Sequence, residues 1–213
     1  MHEAAHRTIA SRRPYTWLNE VAGRIATVPL FGPFIAVRFV HLEHHKHTNE
    51  PDADPDHWSG RGPAWLLPLR WLTQDLHYYL VYLRRARPRG ERVEVVATFA
   101  GFLAIAIALC ATGYATEALL GWWLPARLAI GFLAFAFDYL PHRPHTVTAK
   151  QDRYRATRAF PGRIRCIASL GQSLHLVHHL YPGVPFYRYG AVWTDRVRDR
   201  IDARSRALRW SKR

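Results

Sequence analysis

Residues 95–113, VVATFAGFLAIAIALCATG, carry no charged side chain over a length that matches the ~20 residues needed to cross a bilayer core. Backbone placed in hydrocarbon has no water to bond, so such a run must satisfy its own N–H and C=O groups internally. After the short link YATEALL, a second run at 121–137, GWWLPARLAIGFLAFAF, is apolar except for Arg127. The two runs predict a transmembrane helical hairpin over about 94–138. Trp122 and Trp123 suit the interfacial belt, and Arg127 is expected to snorkel back toward it. The competing reading, a buried hairpin in a large soluble protein, is disfavoured by the length of the first run.

Charge at the hairpin's flanks sets its orientation. RRARPRGER stands before it at 84–92, and Arg143, Lys150, Arg153, Arg155 and Arg158 follow it, whereas the connecting loop has no Lys or Arg. The positive-inside rule places both ends in the cytoplasm. The expected class is therefore an all-α integral membrane protein, with a cytosolic helical cap built from the segments before and after the hairpin. IATVPLFGPFIAVRFV at 25–40 is apolar but broken by Pro29, Gly32 and Pro33, so it is expected to dip into the membrane rather than span it. AWLLPLRWLTQDLHYYLVYL at 64–83 reads as an interfacial amphipathic helix, and 193–213 as a charged helix resting on headgroups or solvent. The formal charge of +14 leaves anionic lipid or an acidic partner open, but the basic residues flank membrane segments and match no nucleic-acid motif. Two cysteines, Cys110 and Cys166, make neither a disulfide framework nor a thiolate metal centre.

The chemistry lies in thirteen histidines. HLEHH at 41–45 and HLVHH at 175–179 repeat the pattern H-x-x-H-H, and HEAAH at 2–6 adds an i, i+4 pair. Positions i, i+3 and i+4 share one helix face, so each cluster presents its imidazoles to one centre. HEAAH alone matches a zinc-protease signature, but that reading accounts for two histidines and leaves six others unexplained. One catalytic zinc takes three protein ligands; eight or nine imidazoles divided between two ions leave each ion room for oxygen or water. A histidine-rich pair of iron ions is the sharper expectation.

These three ordered boxes resemble the membrane fatty-acid desaturase superfamily, including its lipid hydroxylases and the related β-carotene hydroxylases and ketolases. KHTNEPDADPD follows the second box, LYPGVPFYRY follows the third, and FDYLPHRPH at 137–145 resembles the segment after the hairpin in the carotenoid enzymes. The resemblance covers nearly the whole chain as one domain, 1–213. It implies an O₂-dependent di-iron oxidase acting on C–H bonds of a lipid acyl chain, as a desaturase or hydroxylase. A carotenoid ring hydroxylase or ketolase is the alternative, and a non-catalytic metal- or lipid-binding membrane protein is the alternative of another class. The ligands implied are His2 and His6, then His41, His44 and His45, then His175, His178 and His179. His142 is expected as the ninth ligand with His145 its rival, and Asp138, four residues before His142, as a supporting carboxylate. Asp52, Asp54 and Asp56 are candidates to accept ring N–H bonds, with an ordinary Pro/Asp turn as the other reading. His47 is expected either to orient a neighbouring ligand or to lie at the polar surface, His57 and His77 to be structural, and Glu3 to support the first box or face solvent. Electrons are expected from a partner such as a ferredoxin and its reductase. In the superfamily membrane segments precede the first box, which here begins at residue 2, so the chain is expected to be N-terminally truncated.

Overall fold

The computed structural model describes residues 1–201, built from helices and the loops that join them, with no strand among the described residues. The part of the expected charged tail beyond 201 lies outside the described residues. In chain order the main helices are α1 (His2–Ala5), α2 (Trp17–Thr27), α3 (Phe34–His47), α4 (Leu67–Leu72), α5 (Gln74–Arg84) and α6 (Arg89–Ala111). A second long helix follows at Ala115–Tyr139, and short helices continue to the C-terminal side, among them Arg163–Ala168 and His175–Leu180.

α6 and Ala115–Tyr139 are long and apolar enough to cross a membrane, and only 6% and 17% of their apolar windows are buried in the protein. Leu103, Ile107, Leu128 and Phe132 are each at least 59% exposed, a surface that lipid, not water, accommodates. Together with the helices' length this makes the chain an integral membrane protein. The spans meet at a tight turn where Gly113 adopts φ +89°, open to glycine at no steric cost. The second span is wound as a π-helix at Leu119–Trp123 and again at Ala134–Tyr139, just before the histidine-bearing segment.

The apolar segment at 25–40 breaks as its prolines predict. α2 with its 3₁₀ extension to Leu30 meets α3 at 99°, and Phe31 at the corner has φ +56°. The corner packs on the hairpin: Phe31 stacks on Trp122 at 4.3 Å and meets Phe102 edge-on, and the Trp122 indole N–H donates to Pro29 C=O. Trp122 is thus held by protein rather than left free for the interface. Gly23 makes the bend compact, since a Cβ there would lie 2.3 Å from the Phe34 ring. From this corner α3 runs back and carries the second histidine cluster on its final turns.

The segment at 64–83 departs from a single interfacial helix. It divides at Thr73 into α4 and α5, and both pack on the second span. Trp71 lies against Phe135 and Tyr139, and Leu72 fills the space beside Gly131. The reason is Arg127, which does not snorkel outward. Its guanidinium grips both oxygens of Asp75 at 2.9 and 2.6 Å, with the two side chains 16% and 12% exposed. A charge inside a span costs least when paired with its opposite, so the pair pulls α5 against the helix. α5 then spreads three faces: Asp75, Tyr79 and Tyr82 inward, Leu76, Leu80 and Leu83 outward, and Tyr78 toward the metal end.

Arg127→Met should destabilise the protein by about 3 kcal/mol, since it strands Asp75 without a partner. The double replacement Arg127→Met/Asp75→Leu should recover most of that loss. Thermal unfolding in detergent micelles or nanodiscs checks both; equal destabilisation of single and double variants contradicts the ion-pair account.

Candidate metal centre

Four separate pieces of chain meet at the foot of the hairpin. α1 and the residue after it bring His2 and His6, and the last turns of α3 bring His41, His44 and His45. His142 stands three residues past the end of the second span, and the His175–Leu180 helix presents His175, His178 and His179. Ring nitrogens of His2, His6, His41 and His178 all lie within 4.8 Å of one another, as do those of His44, His142, His175 and His179. His45 sits between the groups, its Nε2 2.7 Å from that of His178 and its ring 4.3 Å from that of His179. All nine expected histidines therefore converge.

His145 does not join either group. Its ring lies 6.1 Å from that of His142 and 5.5 Å from that of His57, while His142 Nε2 approaches His175 Nε2 at 3.0 Å. Gly60 makes room for it, because a Cβ there would fall 2.4 Å from the imidazole. Between the two rivals, His142 is the one placed with the cluster.

The outer nitrogens show how the inner ones are aimed. His44 Nδ1 is 2.7 Å from Asp54 Oδ1 and 3.4 Å from Asp56 Oδ2, all buried. Burial disfavours a charged ring, but Asp54 and Asp56 outweigh it and raise His44 to about 9. Without metal, therefore, Nδ1 carries a proton held by Asp54, and Nε2 is the nitrogen left for an ion. Asp54 is itself fixed by the backbone N–H of Asn49 at 2.6 Å and of Asp56 at 2.9 Å. The PDADPD turn thus serves the second box through Asp54 and Asp56, while Asp52 is exposed. His2 Nδ1 lies 3.2 Å from Glu3, whose other oxygen accepts from the Thr8 hydroxyl at 2.6 Å and from Phe186 N–H at 3.4 Å. Glu3 therefore ties the first box to the loop after the third. His178 Nδ1 meets the hydroxyl of buried Tyr189 at 3.0 Å.

Asp138 reaches the centre by a longer route than expected. The Tyr78 hydroxyl lies between Asp138, at 3.0 Å, and Asp56, which also faces His44. One hydroxyl proton cannot serve two carboxylates, so one of the pair must hold a proton of its own. Burial raises the Asp56 carboxyl to about 6, with His44 opposing and Asp54 reinforcing the shift. Sequence reasoning singled out neither Tyr78 nor Tyr189. His47 faces Glu50 and Glu43 at the surface, and His77 stacks on Trp58 at 4.4 Å, both as expected of non-ligands.

Six pairs of Nε2 atoms stand 2.7–3.2 Å apart: His2–His178, His6–His41, His44–His179, His45–His178, His142–His175 and His179–His175. Burial first, and neighbouring imidazoles second, hold His142, His178 and His179 well below the ordinary histidine value; His175 follows the same causes. His6 is pushed down to about 4, also chiefly by burial. At these separations the N–H of one ring can bond the lone pair of the next, and a metal ion would replace those bonds, since the neutral ring is the ligating form. The donor set fits one ion per group, of a kind that favours imidazole, such as iron or zinc.

The fold and this site define a helical integral membrane protein with a histidine-lined candidate centre for metal at one end of its hairpin. The chain matches the fatty acid desaturase family over residues 1–212 and belongs to it. Among curated relatives it is 26% identical to the sn-1 oleoyl-lipid 12-desaturase of Synechocystis, an alignment covering 87% of this chain and 60% of that one. It is 30% identical to the dihydrorhizobitoxine desaturase of Bradyrhizobium elkanii, covering 87% and 59%, and 25% identical to the chloroplastic omega-6 fatty acid desaturase of Arabidopsis thaliana, covering 89% and 48%. The chain thus spans about half to three fifths of the length of these relatives. No solved structure gives a significant match.

Asp54→Asn should lower metal affinity about 10–100-fold while leaving the helix content unchanged, because the amide no longer fixes the His44 tautomer; metal titration with circular dichroism checks it. The metal-free protein should lose stability as pH falls below about 6.5. Above that value the buried rings of His142, His175, His178 and His179 are neutral in both folded and unfolded chains. Below it the unfolded chain binds protons that the folded one rejects, so unfolding is favoured. Chemical denaturation from pH 8 to pH 5 reads this slope, and stability that stays flat or rises contradicts it.

Proposed function

We propose that this chain carries the metal-binding core of an O₂-dependent, di-iron membrane lipid desaturase. The single observation behind this reading is the pair of four-imidazole groups with His45 between them, at the membrane end of a lipid-exposed hairpin. In this reading His2, His6, His41 and His178 hold one ion, His44, His142, His175 and His179 hold the other, and His45 completes the first group or bridges toward the second. Bound iron would supply what no side chain supplies, reduction of O₂ coupled to removal of hydrogen from an unactivated C–H bond.

The protein's own residues do the rest. Asp54, Glu3 and Tyr189 hold the outer nitrogens of three rings, so lone pairs meet the ions without reorganisation. His44, His142, His175 and His178 are nearly inaccessible, which keeps bulk water from the reacting centre. The Asp56–Tyr78–Asp138 chain holds an exchangeable proton next to His44. An acyl chain enters from the lipid around α3 and the two spans, while its polar end stays at the interface. The basic flanks favour the cytoplasmic side for the centre, where an acidic donor such as a ferredoxin would reach it. The names of the relatives favour an acyl lipid over a carotenoid ring, although the one named for dihydrorhizobitoxine shows that substrates differ within the family.

Expression in a bacterial host whose membranes lack polyunsaturated lipids, with a ferredoxin and its reductase, tests the reading. Gas chromatography of total lipid should reveal a new double bond that is lost with His45→Ala and with His142→Ala but kept with His47→Ala. Metal bound at both groups with no oxidised lipid, and no O₂ uptake above that of the His45→Ala variant, would favour a binding protein instead.

A further inference from the structure

Between the second span and the third histidine cluster the chain makes an excursion at 161–172 that the metal centre does not use. Its neck is fixed at the foot of the hairpin. Arg158 N–H donates to Pro141 C=O at 2.8 Å, two residues beyond the last residue of the second span, and Phe160 N–H donates to Ser173 C=O at 2.7 Å. The helix Arg163–Ala168 and the turn into Gly171 rise from this neck. Ile164, Ile167 and Leu170 are 83%, 67% and 67% exposed. Ile164 and Ile167, three apart, share a helix face. Leu170 holds φ +49°, a conformation that non-glycine residues seldom adopt, so backbone strain is sustained while a large apolar side chain points outward. The turn is set from beneath by Gly171, where a Cβ would fall 2.8 Å from the Phe186 carbonyl oxygen. Arg163 and Arg165 flank the isoleucines, are exposed, and pair with no carboxylate among the described residues.

In water the exposed Ile164, Ile167 and Leu170 are unfavourable. At a bilayer surface the apolar side chains enter the acyl boundary, and the guanidinium groups stay level with phosphates. We propose that the 161–171 loop is a further membrane contact, inserted shallowly into the leaflet at the hairpin's foot and drawn there by anionic lipid. The neck's hydrogen bond to the end of a span places the loop at headgroup level, and its charge is wholly positive, so lipid is the occupant rather than a second copy of the chain. Because His175 follows Gly171 by four residues, the inserted loop would set the depth of the third histidine cluster against the bilayer. The proposal rests on the membrane reading and not on the metal chemistry.

The test is site-directed spin labelling of the full chain in nanodiscs, in a Cys110→Ser/Cys166→Ser background. Nitroxides are placed through Ile164→Cys and Ile167→Cys, with Ile107→Cys as the lipid-facing reference and Asp199→Cys as the aqueous one. In phosphatidylglycerol-containing discs, Ile164 and Ile167 should collide more with O₂ than with a water-soluble nickel chelate, as Ile107 does. In pure phosphatidylcholine, or with Arg163→Glu/Arg165→Glu, they should shift toward the aqueous reference. Labels that behave like Asp199 in both lipids overturn the insertion, and equal insertion in both overturns the role of anionic lipid. Labels shielded from both reagents, with spin–spin broadening between chains, overturn it in favour of a second copy. Iron content measured on the same samples reports separately on the metal reading.

Discussion

Nine imidazoles from four segments of chain, with Nε2 atoms 2.7–3.2 Å apart in a largely buried space, form the arrangement on which the rest of the structure depends. The rings can bond one another without metal and are placed to ligate an ion together. Other features of the fold serve to hold it. Burial disfavours protonation of His142, His175, His178 and His179, while Asp54 and Asp56 keep a proton on His44. Asp54, Glu3 and Tyr189 take up outer nitrogens so that inner ones face each other. Coordination and folding are coupled in the sense that the ligands come from four segments and an ion would add to the packing that brings them together.

The membrane supplies the frame. The two spans give a fixed axis, and the broken α2–α3 segment and the α4–α5 pair pack against it from outside. Each carries a group inward from its contact: α3 leads from the Phe31–Trp122 stack to His41, His44 and His45, and α5 leads from the Arg127–Asp75 pair to Tyr78. Polar residues that would be costly in lipid are therefore tied in pairs to the histidine-bearing end.

Much of this was legible in the residues because it is periodic or local. The hairpin follows from uncharged length, the break near Gly32 from proline chemistry, and the three clusters from i, i+3, i+4 spacing. The approach of Asp54 to His44 was one of two open readings of PDADPD, and the structure selects it. What was not legible depends on contacts between distant segments. No spacing rule links Tyr189 to His178 across the turn of YPGVPFYRY, or Tyr78 to Asp138 across sixty positions. Arg127 could be read only against the membrane surface until Asp75 was seen beside it, and the division of 64–83 at Thr73 follows from that same pair. The spacing from Asp138 favoured His142 without settling its rivalry with His145; the winding after Tyr139 separates them.

The most direct measurement is X-ray absorption at the iron edge, with metal counting, on the iron-loaded chain in nanodiscs. The account predicts two irons per chain, each with a first shell dominated by imidazole nitrogen, and loss of one ion's scattering when His142 is replaced by alanine. A single ion, a shell containing sulfur, or an unchanged spectrum in that variant would contradict it.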